Sequence, residues 1–495
     1  MSAPVSGSLG RGSAGVVAAL LPGTTPARTV AGRRRQLEAL GELRPDAAWL
    51  VLAAMGPGLP TAPEVEELVR RARVDGIRAA LAGVRRRPGR APEVVTGVVL
   101  VDVQDTATTR IATGVQRVAR EVAVRWSARA GVELVGWTAS RRRLVRLDAA
   151  GVRAGRRTRL ARGAVVPWRA TYLLPETLNE NARSLRIHAL AASGANRTGM
   201  VGHDTVPLTT AETAGPGMPG AFAKYLAAAG RMDVVAATST ASATEFSGWK
   251  RMLPSAGIAG PEIVTVPLPV TPLAAPAEAE AAARALLGIR DDRDGIPIVL
   301  CVGSHEPRKN HRAVLHAAEL CRRRGDVFRL VFVGGAGWGA DGSVAAIEAA
   351  RAAGHDVLQL SGVPDAELAW AYRLARVTAF PSLNEGFGLP VAESLAAGTP
   401  VITSAFGSTA ELGARGGILV DPRDERALAD ALHLVLTDDA TLARLRVEAG
   451  VDTARGWDEY AAELFAALAP AATGSALDAP SGHAAEQSPR MNPRD

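Results

Sequence analysis

The chain has few of the residues that mark a disulfide scaffold or a membrane protein. It contains two cysteines in 495 residues, Cys301 in an apolar strand pattern and Cys321 in a helical one. Their spacing does not suggest a disulfide pair, so a reducing compartment and core thiols are expected. No apolar run approaches the ~18 residues that a bilayer span needs. Residues 1–25 lack the pattern of a signal peptide, and these features together predict a cytoplasmic protein.

Lysine and aromatic residues are also scarce. Only three lysines accompany 54 arginines, and aromatics make up 4% of the chain. The formal charge of +7 is concentrated in local arginine runs, such as Arg33–Arg35 and Arg141–Arg143. Solvated surface is the first interpretation of these runs. Peripheral contact with the anionic inner face of a membrane is the second. Nucleic acid is not expected as a partner.

The ends of the chain and its first hundred residues show no enzyme motif. Residues 1–30 are rich in Gly, Ser, Ala and Pro, which predicts a disordered tail. Residues 31–95 carry helical patterns and are interpreted as a helical extension of unknown role. Residues 470–495 have the composition of a second disordered tail.

Two α/β domains are predicted between these segments. The run Val98–Val103 has the continuous β-branched character of a buried parallel strand, and the first domain is placed at 96–267. A Pro- and Ala-rich linker follows at 268–285. Regular alternation of strands and helices over 286–456 predicts a second, doubly wound parallel sheet. An amphipathic helix at 457–469 ends the ordered part.

The stretch Pro381–Pro400 carries the strongest functional signal. It follows a strand pattern and opens a helix with Pro390 in its first turn. The loop Glu385-Gly386-Phe387-Gly388 therefore lies where a strand ends and a helix begins, the position at which open α/β sheets bind ligands. Free N–H groups at Leu389 favour an anion, and Glu385 and Glu393 suit hydroxyl groups. The alternative is that Glu393 only complements the helix dipole.

A second loop, residues 303–310, follows the strand pattern Ile296–Val302. It reads Gly303-Ser304-His305-Glu306-Pro307-Arg308-Lys309-Asn310. Two cations on a loop between a strand and a helix suit a diphosphate leaving group, whose charge grows during reaction. The alternative is a capping loop with solvated cations.

These two motifs resemble those of the retaining family-4 glycosyltransferases, which have the GT-B fold. The resemblance covers residues 96–470 and is strongest over 296–422. It implies that Glu385 binds sugar hydroxyls and Glu393 the ribose. Arg308 and Lys309 resemble the family's phosphate clamp, in which many relatives have an arginine at the position of Ser304. The resemblance also implies donor contacts from Gly303, Ser304, Gly334, Val363, Gly386, Phe387, Gly388 and Leu389.

The first domain shows a weaker form of the same resemblance. The segment Thr113–Val118 is similar to the family's glycine loop, with Gly114 as a donor contact. Gln116 and Val118 stand where that loop has Gly and Tyr. The pair His203-Asp204 ends a strand pattern and matches the family's cleft pair, which implies that His203 lies beside the transferred sugar.

The resemblance implies two Rossmann-like domains that face a cleft, and sugar transfer from a nucleoside diphosphate donor to a hydroxyl acceptor with retention. GDP-mannose is the first donor to consider, and a glycan or lipid-linked acceptor in polysaccharide or glycoconjugate assembly fits. No metal site is expected, because no Asp-x-Asp motif ends a strand, and no cofactor is expected beyond the nucleotide sugar. The alternative is a scaffold or nucleotide-sugar binding protein that lacks turnover.

Overall fold

The protein folds into two α/β domains. The computed structural model describes residues 7–84, 90–109, 113–153, 160–290, 295–450 and 453–470. The expected architecture of two doubly wound domains is confirmed, with a ten-stranded sheet in the first domain and a six-stranded sheet in the second. The tail predicted over 470–495 lies outside the described residues from 471 onward.

The strands of the first domain are β1 (Gly7–Arg11), β2 (Glu93–Thr96), β3 (Val99–Asp102), β4 (Val132–Trp137), β5 (Leu144–Leu147), β6 (Leu160–Pro167), β7 (Thr171–Leu174), β8 (Arg197–Gly202), β9 (Val234–Ala237) and β10 (Glu262–Thr265). Its helices are α1 (Gly12–Leu20), α2 (Val30–Leu37), α3 (Pro45–Met55), α4 (Ala62–Asp75), α5 (Ile77–Ala82), α6 (Gln104–Thr108), α7 (Gly114–Trp126), α8 (Ala149–Arg153), α9 (Asn181–Ala192), α10 (Val206–Thr209), α11 (Met218–Ala229) and α12 (Thr240–Lys250).

The first sheet is mixed rather than wholly parallel. Its order is β1-β2-β6-β5-β4-β3-β7-β8-β9-β10. The pairs β1/β2, β4/β5 and β5/β6 are antiparallel, and the other pairs are parallel. A short turn after β4 explains the second of these pairs, because only antiparallel neighbours can be joined without a long crossover.

The prediction of a disordered tail over residues 1–30 is wrong for residues 7–20. Strand β1 pairs with β2, and α1 packs on α3. Val16 and Val17 of α1 are fully buried. The small residues that suggested disorder allow this close packing instead, since Gly15 lies so near β1 that a Cβ would come within 2.7 Å of the carbonyl oxygen of Gly10.

The helices of residues 31–95 are not a separate extension. A single apolar cluster joins them to the first sheet, from Trp49 in α3 and Leu68 in α4 to Tyr172 in β7. Nearly every side chain of α3 from Ala47 to Met55 is buried, so this helix depends on its contacts with the rest of the domain. Among the described residues, the first domain therefore includes the segment from residue 7 to residue 95, which was predicted to lie outside it.

The strands of the second domain are β11 (Ile298–Val302), β12 (Arg329–Val333), β13 (Val357–Leu360), β14 (Val377–Phe380), β15 (Val401–Ser404) and β16 (Gly417–Val420). Its helices are α13 (Glu280–Leu286), α14 (His311–Arg323), α15 (Asp341–Ala352), α16 (Asp365–Leu374), α17 (Leu389–Ala396), α18 (Gly407–Gly413), α19 (Glu425–Thr437) and α20 (Asp439–Glu448). All neighbouring strands are parallel, in the order β13-β12-β11-β14-β15-β16.

Two segments join the domains. The predicted linker, 268–285, is shorter than expected, because α13 packs on α16 of the second domain and Trp370 donates a hydrogen bond to the Pro276 carbonyl. The last helix, α21 (Trp457–Leu468), returns to the first domain, where the indole of Trp126 donates to the Ala461 carbonyl oxygen over 2.8 Å. Within the described residues no helix is both long enough and apolar enough to cross a bilayer.

Candidate functional site

The candidate site lies at the carboxyl edge of the second sheet. Strand β11 has β12 on one side and β14 on the other, so the order in which strands are added to the sheet reverses between β11 and β14. Ligands of open α/β sheets bind in the crevice at such a switch point. The loops that leave these two strands are residues 303–310 and 381–388, the two motifs that the sequence singled out.

Glu385 joins the two loops through both predicted cations. Arg308 Nη1 lies 2.5 Å from Glu385 Oε2, and Lys309 Nζ lies 2.7 Å from Glu385 Oε1. Ser382 donates a further hydrogen bond to Oε1. The ammonium of Lys309 also lies 4.9 Å from the centre of the Phe380 ring. The charged side chains of the two motifs, Arg308, Lys309 and Glu385, therefore form one cluster.

The ionisation of this cluster follows from burial and pairing. Burial alone would raise the pKa of Glu385, but the charges of Arg308 and Lys309 outweigh it and lower the pKa to about 2. Burial dominates for Lys309 and lowers its pKa, although Glu385 opposes the change. Burial opposes protonation of Arg308 as well, yet Glu385 raises its pKa overall. Glu385 is thus ionised at neutral pH.

Two carboxylates face the two cations. Glu306 Oε2 lies 3.4 Å from Arg308 Nη2, and the hydroxyl of Ser304 donates to Glu306 Oε1 over 2.5 Å. Arg308 also donates to the Asn384 carbonyl oxygen. Ser304 therefore orients Glu306 and adds no charge to the cluster. The formal charge of Glu306, Arg308, Lys309 and Glu385 together is zero.

Glu393 on α17 has a partner from the other domain. Arg117 Nη1 of α7 lies 2.9 Å from Glu393 Oε1, and the hydroxyl of Tyr372 donates to Oε2 over 3.0 Å. The Glu393 side chain is 10% exposed. Burial raises its pKa, and Arg117 opposes that shift. A carboxylate predicted to bind a ribose is therefore already paired in this structure.

The space around Glu393 is small. A cavity of about 10 Å³ lies between the domains, next to the linker and the last helix, and is lined by Arg117, Pro269, Val270, Thr271, Leu389, Ala392, Glu393 and Trp457. This volume is about that of one water probe, far below the ~300 Å³ of small-molecule pockets. The cleft is closed beside Glu393 in this structure, where Arg117 is paired with the carboxylate.

Two of the predicted donor glycines are required for backbone packing. A Cβ at Gly386 would lie 2.1 Å from the carbonyl oxygen of His203 in the first domain. A Cβ at Gly334 would lie 1.9 Å from the carbonyl oxygen of Gly303. Both distances are far below contact, so only glycine fits. Gly388 has φ of 98° and caps the start of α17, a conformation that glycine adopts without strain.

Phe387 and Leu389 lie in an apolar layer between the domains. Phe387 is 8% exposed and belongs to the cluster that contains Val101 of β3 and Leu464 of α21. Leu389 packs against the same cluster, and a Cβ at Gly114 would lie 3.3 Å from its Cδ1. In the closed cleft these side chains therefore contact the first domain.

Of the other predicted site residues, His203 belongs to the first domain and Val363 to the second. His203 follows β8 and is 5% exposed, and its Nε2 lies 2.8 Å from the Pro175 carbonyl oxygen. Burial lowers the pKa of His203, so the imidazole is neutral at pH 7 and Nε2 carries the proton that this bond needs. Val363 follows β13 and packs against the apolar cluster around Leu300.

Several residues of the site were not predicted. Arg117 and Tyr372 reach Glu393 from distant parts of the chain, and no local spacing relates them to it. Asn384 bridges the domains by donating to Thr209 and Glu245. The hydroxyl residues after β9 were likewise missed, although their density, Thr238-Ser239-Thr240-Ala241-Ser242, was a visible signal.

Comparison with known sequences finds a family match for the second domain. Residues 289–450 match the family "Glycosyl transferases group 1". A D-inositol 3-phosphate glycosyltransferase of Xylanimonas cellulosilytica is 37% identical over 209 residues, which cover 40% of this chain and 48% of the relative. The O-antigen chain mannosyltransferase B of Escherichia coli is 34% identical over 142 residues, which cover 28% and 37%. The chain thus spans less than half of either relative.

Comparison with solved structures identifies the fold of about three quarters of the chain. The UDP-forming α,α-trehalose-phosphate synthase of Burkholderia xenovorans, solved with glucose-6-phosphate, superposes with a TM-score of 0.53. The match covers 75% of this chain and 99% of that one at 15% identity. Residues 289–450 are thus similar to the group 1 glycosyltransferases, and the chain has the GT-B fold.

Proposed function

We propose that the protein transfers a sugar from a nucleoside diphosphate sugar to a hydroxyl acceptor, with retention at the anomeric carbon. The observation that carries this proposal is the position of Glu385 between Arg308 and Lys309 at the switch point of the second sheet. This cluster lies inside the segment that matches the group 1 glycosyltransferases.

In the proposed reaction the diphosphate of the donor takes over the two cations. Lys309, Arg308 and the first N–H groups of α17 then face the leaving group, whose charge grows as the bond breaks. Glu385 is released from the cations and accepts hydrogen bonds from the sugar. The bond between the anomeric carbon and the phosphate oxygen breaks, and the acceptor oxygen bonds to the same face. The acceptor's proton goes to the departing diphosphate.

Glu393 is proposed to bind the ribose hydroxyls once Arg117 has moved away. Tyr372 belongs to the same domain as Glu393 and can keep its bond to Oε2 in the presence of nucleotide. Because cationic side chains and a helix start supply the positive charge, we propose turnover without a divalent metal and without a further cofactor. Measurement of turnover in EDTA tests this proposal, and we expect turnover to persist.

The donor and acceptor are proposed from similarity. The motif at Glu306–Asn310 and the mannosyltransferase of E. coli favour GDP-mannose as the first donor. A glycan or lipid-linked acceptor suits assembly of a polysaccharide. The D-inositol 3-phosphate glycosyltransferases add a phosphorylated polyol to the acceptors worth testing.

The test begins with binding. A thermal-shift panel of GDP-mannose, UDP-glucose and the free nucleotides should show one nucleotide series that raises Tm, because a ligand of the native state stabilises it. Release of the matching nucleoside diphosphate in the presence of acceptors then measures transfer. If neither nucleotide series shifts Tm, the proposal is wrong.

A nucleotide-sugar binding protein without turnover is a second candidate. It is favoured by the pairing of every charged group in the cluster and by the closed cleft around Glu393. Binding of a donor without release of its nucleotide, with or without acceptors, would support this candidate over the first.

A further inference from the structure

Three hydroxyl groups lie where the two halves of the candidate site meet. Thr238, Ser239 and Ser242 follow β9 at the start of α12, and each is at most 2% exposed. They face the backbone carbonyl of His203, which belongs to the first domain, and that of Gly386, which belongs to the second. Neither the motifs nor the comparisons assign these hydroxyls a role.

The hydrogen bonds divide between the two carbonyls. Ser239 Oγ donates to the Gly386 oxygen over 2.7 Å. Ser242 Oγ lies 3.0 Å from the Gly386 oxygen and 2.9 Å from the His203 oxygen, so its single proton is shared. Thr238 Oγ1 lies 3.1 Å from the His203 oxygen and 3.5 Å from that of Gly386. One hydroxyl thus binds each carbonyl, and the third binds both.

The approach of the two backbones explains why Gly386 is required. The missing Cβ of Gly386 would lie 2.1 Å from the His203 oxygen. The donor loop, residues 384–388, can therefore dock against the end of β8 only with glycine at this position. The two carbonyl oxygens lie close enough to share the Ser242 hydroxyl, and acceptors withdrawn from water need donors, which the three hydroxyls supply.

We propose that Thr238, Ser239 and Ser242 form a hydroxyl staple that positions the donor loop against His203 when the cleft is closed. The consequence for reaction rests on the function proposed above. Glu385 immediately precedes Gly386, and the staple therefore fixes the sugar-binding carboxylate relative to the first domain. These are positioning residues, since their hydroxyls contact backbone and not the reacting atoms.

The staple predicts a separation of binding from turnover. The groups proposed to hold the nucleotide, Lys309 and Glu393, belong to the second domain and stay in place when the cleft opens. Removal of the staple should leave nucleotide affinity at or above the wild-type value. Turnover needs both domains in register, and a misplacement of about 1 Å costs roughly 10²-fold in rate.

The test compares Ser242→Ala and the double variant Ser239→Ala/Ser242→Ala with the wild-type protein. Affinity for UDP and GDP is measured by calorimetry, and turnover by nucleotide release from UDP-glucose and GDP-mannose. We expect the double variant to lose turnover 10- to 100-fold with undiminished nucleotide affinity. Ser242→Thr keeps the hydroxyl and should have higher turnover than Ser242→Ala. Thr244→Ala is the matched control, because this hydroxyl lies on the exposed side of α12 and bonds to its own helix.

Small-angle scattering supplies a readout that does not depend on activity. Ser239 also caps α12, so its loss alone can weaken that helix. Gly386→Ala leaves the cap intact, and its added Cβ blocks docking of the donor loop. Gly386→Ala and the double variant Ser239→Ala/Ser242→Ala should each show a larger radius of gyration than Thr244→Ala. Wild-type turnover in the double variant, or a joint loss of affinity and turnover, overturns the staple. If the wild-type protein uses neither donor, the proposed function fails, and an unchanged radius of gyration then overturns the staple on its own.

Discussion

At the residue scale, the charged cluster of the second domain is balanced before any ligand arrives. Arg308 and Lys309 share Glu385, and Glu306 also faces Arg308. A buried ion pair is stable only when both partners are present, because either charge left alone pays for its own desolvation. The diphosphate proposed to replace Glu385 as the partner of both cations would keep them compensated.

Lys309→Ala should lower turnover far more than it lowers donor affinity. A cation aimed at the diphosphate stabilises the charge that grows in the transition state, and loss of such a group costs on the order of 10²–10³ in rate. Lys309→Arg should restore only part of the rate, since a planar fork does not replace a point charge. Steady-state kinetics on the active donor measures both. The exposed Lys224→Ala is the control, and near-native turnover of Lys309→Ala would remove residues 303–310 from the mechanism.

Glu385→Gln should destabilise the protein in a way that depends on pH. The folded pKa of Glu385, about 2, lies below its ordinary value of 4.5. Its ionised form therefore stabilises the fold fully above pH 4.5, and this contribution is lost as pH falls toward 2. Loss of one partner of a buried pair costs about 3 kcal/mol. Urea unfolding at pH 7 and pH 4 should show a smaller difference from wild type at pH 4.

The exposed Glu348→Gln serves as the control for that series. It removes a carboxylate from α15 without breaking a buried pair, and its effect should be small at both pH values. A Glu385→Gln protein that is equally destabilised at pH 7 and pH 4 would mean that packing, rather than the charge of Glu385, accounts for the loss.

At the element scale, sequence patterns were informative where they were regular. The alternation of strands and helices over 286–456 predicted the second domain, and the structure has this alternation, with strands such as Val357–Leu360 and Val377–Phe380 each followed by a helix. The motif loops also follow the strands from which they were predicted. A parallel sheet with uniform crossovers leaves a periodic signal that a single sequence carries.

The first domain was harder to predict, because its extra elements lack such periodicity. Strand β1 contains two glycines and a serine, and six of the nine residues of α1 are Gly, Ala or Ser, so neither resembles a buried element by composition. Their order comes from long-range contacts with β2 and α3. Arg117 and Glu393 are separated by 276 positions, and the fold alone brings them together.

Val17→Ala should test whether α1 is a structural part of the first domain. Val17 is fully buried in the cluster that also contains Trp49, so the substitution loses two methyl groups and leaves a cavity. A cost of about 1.5–3 kcal/mol in the free energy of unfolding is expected. Val74→Ala, on the exposed side of α4, is the control and should change stability by less than about 0.5 kcal/mol. Equal effects of the two variants would mean that residues 7–20 do not contribute to the core of the first domain.

At the scale of the whole molecule, the closed cleft sets the conditions for binding. The domains contact each other through the hydroxyl staple, through Asn384 and through Arg117 with Glu393. The cavity beside Glu393 holds about 10 Å³. When the binding-competent state is only a fraction of the population, the apparent affinity falls by that fraction. Nucleotide affinity should therefore report how firmly the domains close.

Arg117→Ala should bind free nucleotide more tightly than the wild-type protein. The substitution removes a contact that closes the cleft and also vacates the carboxylate that the ribose is proposed to use. We expect an apparent Kd several-fold lower for the nucleotide that the thermal-shift panel identifies, measured by calorimetry. Arg120→Ala, one turn further along α7, should leave Kd unchanged. Weaker binding in Arg117→Ala would mean instead that this guanidinium contacts the nucleotide itself. The first domain would then contribute to donor recognition, and the ion pair with Glu393 would be its resting position.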